Sequence, residues 1–325
     1  MYVYAYSMCA LKERIMKDFV ILADCTCDVS MEIAAEIGMT DYIPGHAYIS
    51  DGRDIPTTLD WNVISREEYY KALSNKKLKV TTAPPSPVEY YEAFEKYAKE
   101  DIGVISVSIS SKISSTYGVA AGAAQKVMEA YPNAKIYCFD SYRMSGAIAI
   151  LMVYAHMLKK EGKSFDEIVE WLEENKHNVH QMGPIDDLIF VARRGRITMG
   201  KAIMGSFAGV KPMGDCNADG YTTVLTKVKG MSRALDTTVA YVKETATDVE
   251  NGYALIAHSN RELYATTLKE KLESELNFKK VFLTDVFSGC AANIGPGMIG
   301  VYYLGNKISD DLDTEKEIMS KIVGK

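Results

Sequence analysis

Short apolar runs alternate with amphipathic stretches along the first half of the chain. Residues 19–23 (FVILA) are five consecutive apolar positions closed off by a charged residue on either side, which predicts a buried strand. A helix over 30–37 should follow, and the moderate alternation of 42–49 predicts a second strand ended by the Asp51-Gly52 turn. Ser65 with Glu68 three positions on predicts a capping box opening a helix at SREEYYKAL. An amphipathic helix over 87–98, a buried strand over 104–108, an Ala- and Gly-rich helix over 118–130 and another strand over 134–139 come next. Residues 145–159 are apolar on most helical faces, so that helix lies between layers or lines an apolar tunnel. Strand and helix alternating in this way predict a parallel sheet with helices on both faces.

The second half changes character after a crossing near 175–183. Asp219-Gly220 is a hairpin signal feeding a strand at 221–228, followed by a helix over 231–247. A strand at 253–258, a Glu/Lys-rich helix over 261–276 and a strand at 280–286 complete a second α/β unit. We therefore expect an N-terminal extension over 1–15, one α/β domain over 16–177 and another over 178–325.

Size and composition agree with that division. The chain has 325 residues, 47% of them hydrophobic and 25% charged, enough for two cores. A net charge of −6 disfavours a nucleic-acid partner, which wants a concentrated positive face. No run of about 18 apolar residues exists, so no membrane-spanning helix is expected. In MYVYAYSMCALKER the charges follow the apolar piece, opposite to a secretory signal, and a cytoplasmic location is expected. The six cysteines (Cys9, Cys25, Cys27, Cys138, Cys216, Cys290) are scattered and read as reduced thiols. His177 and His180 lack an acidic or thiol ligand at helical spacing, so no metal is expected. The lack of Gly-x-Gly-x-x-Gly after the first strand, and of a Walker Gly-Lys-Ser/Thr, disfavours a nucleotide enzyme. No cofactor is expected.

Two hydroxyl-rich loops carry the chemistry. One is TTAPPSP (81–87), and the other is SSKISSTY (110–117), each opening a helix. Short hydroxyl side chains beside free backbone N–H groups suit a small anion. N-capping alone needs one such residue per helix. A third polar turn, Asp24-Cys25-Thr26-Cys27-Asp28, stands at the carboxyl end of the first strand, where open α/β sheets gather ligands. Asp28 reads equally as a helix cap.

These segments resemble the DegV family. Its signatures read Thr-Thr-Ser-Gln-Pro-Ser-Pro and Ser-Ser-x-Leu-Ser-Gly-Thr-Tyr, and both occur here in order. The family's Asp-Ser-Thr-x-Asp-Leu matches at Asp24, Thr26 and Asp28, with Cys25 in place of Ser. Asp140-Ser141 with Ser145-Gly146 matches its next turn. IDDLIFVARRGRI (185–197) is similar to Asp-Asp-Leu-x-Tyr-Leu-x-x-Gly-Gly-Arg-Ile, with Arg194 replacing the first Gly. Residues 209–212 match the Ile-Lys-Pro strand, and Lys229 stands where the family has an Arg implicated in contact with a kinase. Asn293 replaces the His of His-Thr-Gly-Pro-Gly, leaving Gly295 and Gly297 as the turn.

The resemblance implies a two-domain α/β protein, the first with the parallel sheet and the second with a mixed sheet, holding a long-chain fatty acid between them. It further implies a non-catalytic carrier that presents the acid to a separate ATP-dependent fatty acid kinase for phospholipid metabolism. Thr82, Ser110, Ser111, Ser114 and Asn293 become the candidates for binding the carboxylate. Asp24, Thr26, Asp28, Gly295 and Gly297 would support the loops; Ile148 and Met152 would line the acyl tunnel. Arg194 and Lys229 would face the partner, although the arginines at 193, 194 and 196 read equally as an exposed turn. The alternative is a stand-alone enzyme taking a small carboxylated or phosphorylated metabolite in the same cleft, because sites are grafted onto folds.

Overall fold

The structure is a computed structural model that describes residues 18–195, 197–198 and 209–324. The expected extension over 1–15, the first two residues of the expected first domain (16–17) and Arg196 lie outside the described residues, and Cys9 with the extension. Strand β1 (Asp18–Ala23) runs into a short 3-10 turn and helix α1 (Met31–Ile37), whose cap Ser30 accepts from the Ile33 N–H. The strand expected over 42–49 shortens to β2 (His46–Ile49), because Pro44 has no N–H to give a ladder. It also joins a different sheet. β3 (Arg53–Pro56) and β4 (Val80–Ala83) flank it antiparallel, in the order β3-β2-β4. Helix α2 (Arg66–Ser74) has only half of its expected capping box: Ser65 accepts from the Glu68 N–H, but the Glu68 carboxylate takes Arg53 instead. Complete boxes are at α3 (Pro87–Ala98), between Ser86 and Glu89, and at the helix over Phe165–Asn175, between Ser164 and Glu167.

β5 (Ile102–Ser108), α4 (Thr116–Ala130), β6 (Ile136–Asp140), α5 (Gly146–Lys160) and α6 (Phe165–Asn175) finish the first half. β1, β5 and β6 form a parallel sheet in the order β1-β5-β6. Side chains alternate across it. Leu22, Val104 and Ile136 meet Tyr90 and Phe94 of α3 and the alanines of α4, whereas Ile21, Ile105, Val107 and Phe139 face α5 and α6. Both faces are covered, as the alternating pattern requires.

β7 (Val179–Met182) starts the second half and leads to α7 (Leu188–Arg193). Asp187 caps this helix by accepting from the Phe190 N–H, Leu188 and Val191 are buried, and the exposed Arg193 ends it, with Arg194 and Gly195 in the turn that follows. β8 (Ile197–Thr198), β9 (Val210–Cys216) and β10 (Thr222–Lys229) make a small sheet in the order β8-β10-β9, with the predicted hairpin between β9 and β10. After α8 (Met231–Thr245) come β11 (Tyr253–His258), α9 (Glu262–Glu275), β12 (Lys280–Asp285), α10 (Ser288–Ile294), β13 (Ile299–Leu304) and α11 (Asp313–Val323). The order β12-β11-β13-β7, with β11 parallel to β12 and antiparallel to β13, is the mixed sheet. Helices α8 and α9 cover one face of it.

The other face is covered by α5. Its residues Gly146 to Val153 are all buried, because one side meets β1 and β5 while the other meets β11 and β13. The approach is close: a Cβ at Gly146 would lie 2.3 Å from the Tyr302 ring of β13. An apolar, nearly unpatterned helix is what a position between two sheets demands.

Candidate functional site

Asp24 anchors the first loop. Its buried carboxylate accepts the Thr26 N–H at 2.8 Å and the Thr26 hydroxyl through one oxygen, and the Ile109 N–H at 3.3 Å through the other. The turn after β1 is thereby tied to the turn after β5. Burial raises the Asp24 pKa, while the bonds from Thr26 and Ile109 oppose the shift. Thr82 stands at the end of β4, and its hydroxyl accepts from the Asn293 amide of α10 at 3.3 Å. Ser114 precedes α4; its hydroxyl lies 2.8 Å from that of Thr116 and accepts the Thr116 N–H.

These loops converge on a cavity of about 210 Å³ lined by Asp24, Thr26, Thr82, Ser114 and Asn293. A second, smaller cavity of about 40 Å³ is lined largely by apolar side chains, among them Met182, Ile185, Met298 and Ile299. Met144, Val191 and Ile294 line both, so the hydroxyl-rich chamber adjoins the apolar one across three shared side chains.

Some expected residues stand elsewhere. Ser110 is buried but donates to the Asp219 carbonyl at 2.6 Å, sealing the β9–β10 turn, and Ser111 is exposed. Neither lines the chamber. Local alternation within a loop does not set which hydroxyl turns inward; the Asp24 bond to Ile109 and the turn at 110–114 do. Ile148 and Met152 are fully buried between the sheets and line neither cavity; Met144, just before α5, takes that place. Arg194 is not a free surface charge: its Nη1 donates to the Val80 carbonyl at 3.0 Å and the guanidinium lies 5.0 Å from the Phe190 ring centre. Lys229 is exposed at the end of β10.

The supporting residues act one layer back. Asp28, in the left-handed region at φ 50°, accepts the Ser145 hydroxyl at 2.5 Å and the Phe287 N–H at 2.8 Å. Burial pushes its pKa up to about 8, with the bonds from Ser145 and Phe287 opposing. Gly295 and Gly297 have φ of 72° and 99°, and a Cβ at either would lie 2.5 Å from Phe190 or Asp186. These glycines let α7 and the turn after α10 close together.

Several lining residues were not anticipated. Cys290 and Ile294 share the Asn293 face of α10 at helical spacing, a signal available only once 288–294 is known to be helical. His46 comes from β2 and Thr57 directly follows β3, and the Thr57 hydroxyl lies 2.6 Å from the Cys25 sulfur. Burial, reinforced by Asp24, pushes the Cys25 thiol up to about 12, and burial holds Cys290 well above its usual value. Both are neutral thiols at pH 7, unsuited to nucleophilic work. Among the described residues no group of three His, Cys, Asp or Glu side chains could hold a metal, and no helix is long and apolar enough to cross a membrane.

The family model for DegV, described as an uncharacterised protein family, matches residues 18–306. The chain belongs to the DegV family. A DegV domain-containing protein of Clostridium perfringens (CPE0026) is 29% identical over 294 residues, covering 90% of this chain and 99% of the relative. Among solved structures, a DegV lipid binding protein from Thermotoga maritima superposes with a TM-score of 0.77 at 20% identity, covering 89% of this chain and 99% of that one. The Fatty Acid Kinase (Fak) B3 protein of Streptococcus pneumoniae, loaded with linoleic acid, gives 0.75 at 18% identity, covering 89% and 100%. This DegV chain thus shares the fold over nearly the full length of both structures.

Proposed function

We propose that this protein holds a long-chain fatty acid, with its carboxylate in the hydroxyl-rich chamber and its acyl chain in the adjoining apolar one. The observation that carries the reading is the pair of cavities that share Met144, Val191 and Ile294, one of mixed lining that carries the hydroxyls of Thr26, Thr82 and Ser114 and the other largely apolar. Thr82, Ser114 and Asn293 supply neutral donors to the head group, and Thr26 and Asp24 hold the loop beside them. An ionised head group away from water needs several such donors. Each methylene removed from water contributes roughly 0.8 kcal/mol, so chain burial supplies most of the affinity and the head group sets orientation.

In this reading the units over 16–177 and 178–325 close on the ligand: Asp24, Thr82 and Ser114 belong to the first, Val191 and Asn293 to the second. The protein acts as a carrier and performs no chemistry itself, a role supported by the neutral thiols of the chamber. A separate ATP-using kinase acts on the presented carboxylate, with the exposed Lys229 near its docking surface. The kinship to a protein described as Fak B3 supports that partnership.

The test is native mass spectrometry of the purified protein, then solvent extraction of the ligand and titration of the delipidated protein with palmitic acid. A stoichiometric long-chain acid, or saturable palmitate binding, is expected. A tightly bound polar metabolite with no palmitate binding refutes the reading and favours an enzyme acting on that metabolite.

A further inference from the structure

One polar side chain stands in the apolar chamber with its hydrogen bonding incomplete. Gln181 belongs to β7 and is 8% exposed. Its direction follows from the ladder. Gln181 is paired with Tyr302 of β13, and opposed residues of an antiparallel pair point to the same face of the sheet. Tyr302 packs against Gly146, on the side of the sheet that α5 covers, and it lines the apolar chamber there. Gln181 therefore turns its amide to that side, whereas Met182 beside it turns the other way, into the cluster under α8 and α11.

The amide is half used. Its Nε2 donates to the Thr222 hydroxyl of β10 at 2.8 Å, and among the described residues nothing donates to Oε1. Nor is Oε1 sealed in packing, as the Ser106 and Ser108 hydroxyls of β5 are; it keeps contact with open space, and Gln181 lines the chamber. The hydroxyls of the same wall are engaged. Ser145 donates to Asp28 at 2.5 Å, Thr222 accepts from Gln181, and the Tyr302 hydroxyl is bonded to Ser145. A buried carbonyl without a donor is costly. A plain hydrocarbon chain laid against Oε1 forfeits affinity that a chain with a donor at that point retains.

We propose that Gln181 selects an acyl chain that carries a hydroxyl group, which donates to its Oε1 inside the apolar chamber. The inference rests on the fatty-acid reading above and names the class of acid as hydroxylated. A neutral donor suits the place: no charged side chain lines this chamber among the described residues, and an amide oxygen only accepts. The hydroxyl stands well along the chain rather than beside the carboxylate, because the head-group donors line the other chamber, beyond Met144, Val191 and Ile294.

The experiment is calorimetric titration of the delipidated full chain with stearic, 10-hydroxystearic and 12-hydroxystearic acids, in the wild type and in Gln181→Met. Methionine keeps the length of the side chain and removes the amide. A wholly apolar slot disfavours a hydroxyl by roughly tenfold or more, the scale of burying a polar group unpaired. The wild type should instead bind at least one hydroxystearate as tightly as stearate, or more tightly. Gln181→Met should weaken that hydroxystearate by roughly tenfold or more and leave stearate equal or tighter. If the variant does not fold, the comparison within the wild type decides. Both hydroxystearates binding the wild type more weakly than stearate, or an equal loss of both kinds of acid in Gln181→Met, overturns the proposal and leaves the fatty-acid reading standing. No saturable binding of any of the three acids overturns both.

Discussion

Replacing Asp28 with Asn should flatten the pH dependence of stability. The carboxyl is 0% exposed and its pKa is pushed up to about 8 from 3.8, with burial the leading cause. In the folded protein it therefore keeps its proton through a range in which the unfolded chain has lost it. The stabilisation is fully present below pH 3.8 and is lost as pH rises through about 8. One pKa unit corresponds to about 1.36 kcal/mol, so this single group removes roughly 2.7 kcal/mol between pH 5 and pH 7. Asn is close in shape to the protonated acid. Its oxygen can accept from the Phe287 N–H, and its amide can donate to the Ser145 hydroxyl. Urea unfolding of both proteins at pH 5, 6 and 7 measures the effect, because every other titrating group cancels in the difference. The stability of Asp28→Asn relative to wild type should climb by about 1.4 kcal/mol per pH unit. A difference that stays constant from pH 5 to 7 refutes the reasoning, for Asp28 would then be ionised in the fold throughout.

The remaining predictions concern the head group, a second buried pair and one close approach. Thr82→Ala and Ser114→Ala should each weaken palmitate binding by roughly tenfold or more, the scale of a hydrogen bond to a charged group, at unchanged melting temperature. Ser111→Ala, at an exposed hydroxyl off the chamber, should leave the titration unaltered. Asn293→His should tighten palmitate binding by restoring a donor able to carry charge; an unaltered or weaker titration would show that the loop serves another head group. For His180, burial lowers the pKa, but the Asp215 carboxylate 2.6 Å away and the Asn306 carbonyl outweigh it and the net shift is upward. Its contribution is complete below pH 6.5 and is lost as pH rises through the raised value, so the advantage of wild type over His180→Ala, about 3–5 kcal/mol in acid, should shrink in alkali, as urea titration will show. Gly146→Ala should destabilise by about 1–3 kcal/mol, read as a lower midpoint, since its Cβ would press on Tyr302.

Much of this protein is written in local pattern. The apolar run at 19–23, the buried strand over 104–108 and the exact span of β11 follow from side chains that must leave water on one or both faces. The clustered hydroxyls at 81–82 and 110–116, and the polar turn after β1, marked the chamber, because chemistry gathers at strand ends and helix starts. Asn293 was legible through its place before a Gly-Pro-Gly turn, and the family through the order of such turns. Other features depended on segments far apart in the chain. Pro44 ends pairing and the Asp51-Gly52 turn folds β2 back on β3, yet nothing near residue 46 states that this hairpin takes β4 on its other side rather than joining the parallel sheet. Which of Ser110, Ser111 and Ser114 faces the chamber is set by Asp219 and by the tether from Asp24 to Ile109. Ile148 and Met152 read as tunnel residues because a helix between two sheets and a helix beside a tunnel share one apolar pattern. Only the arrival of β11 and β13 on the far side of α5 distinguishes them. Local sequence fixes what each segment must bury. The tertiary structure decides what it is buried against, since contacts across a hundred residues or more leave no periodicity in either partner.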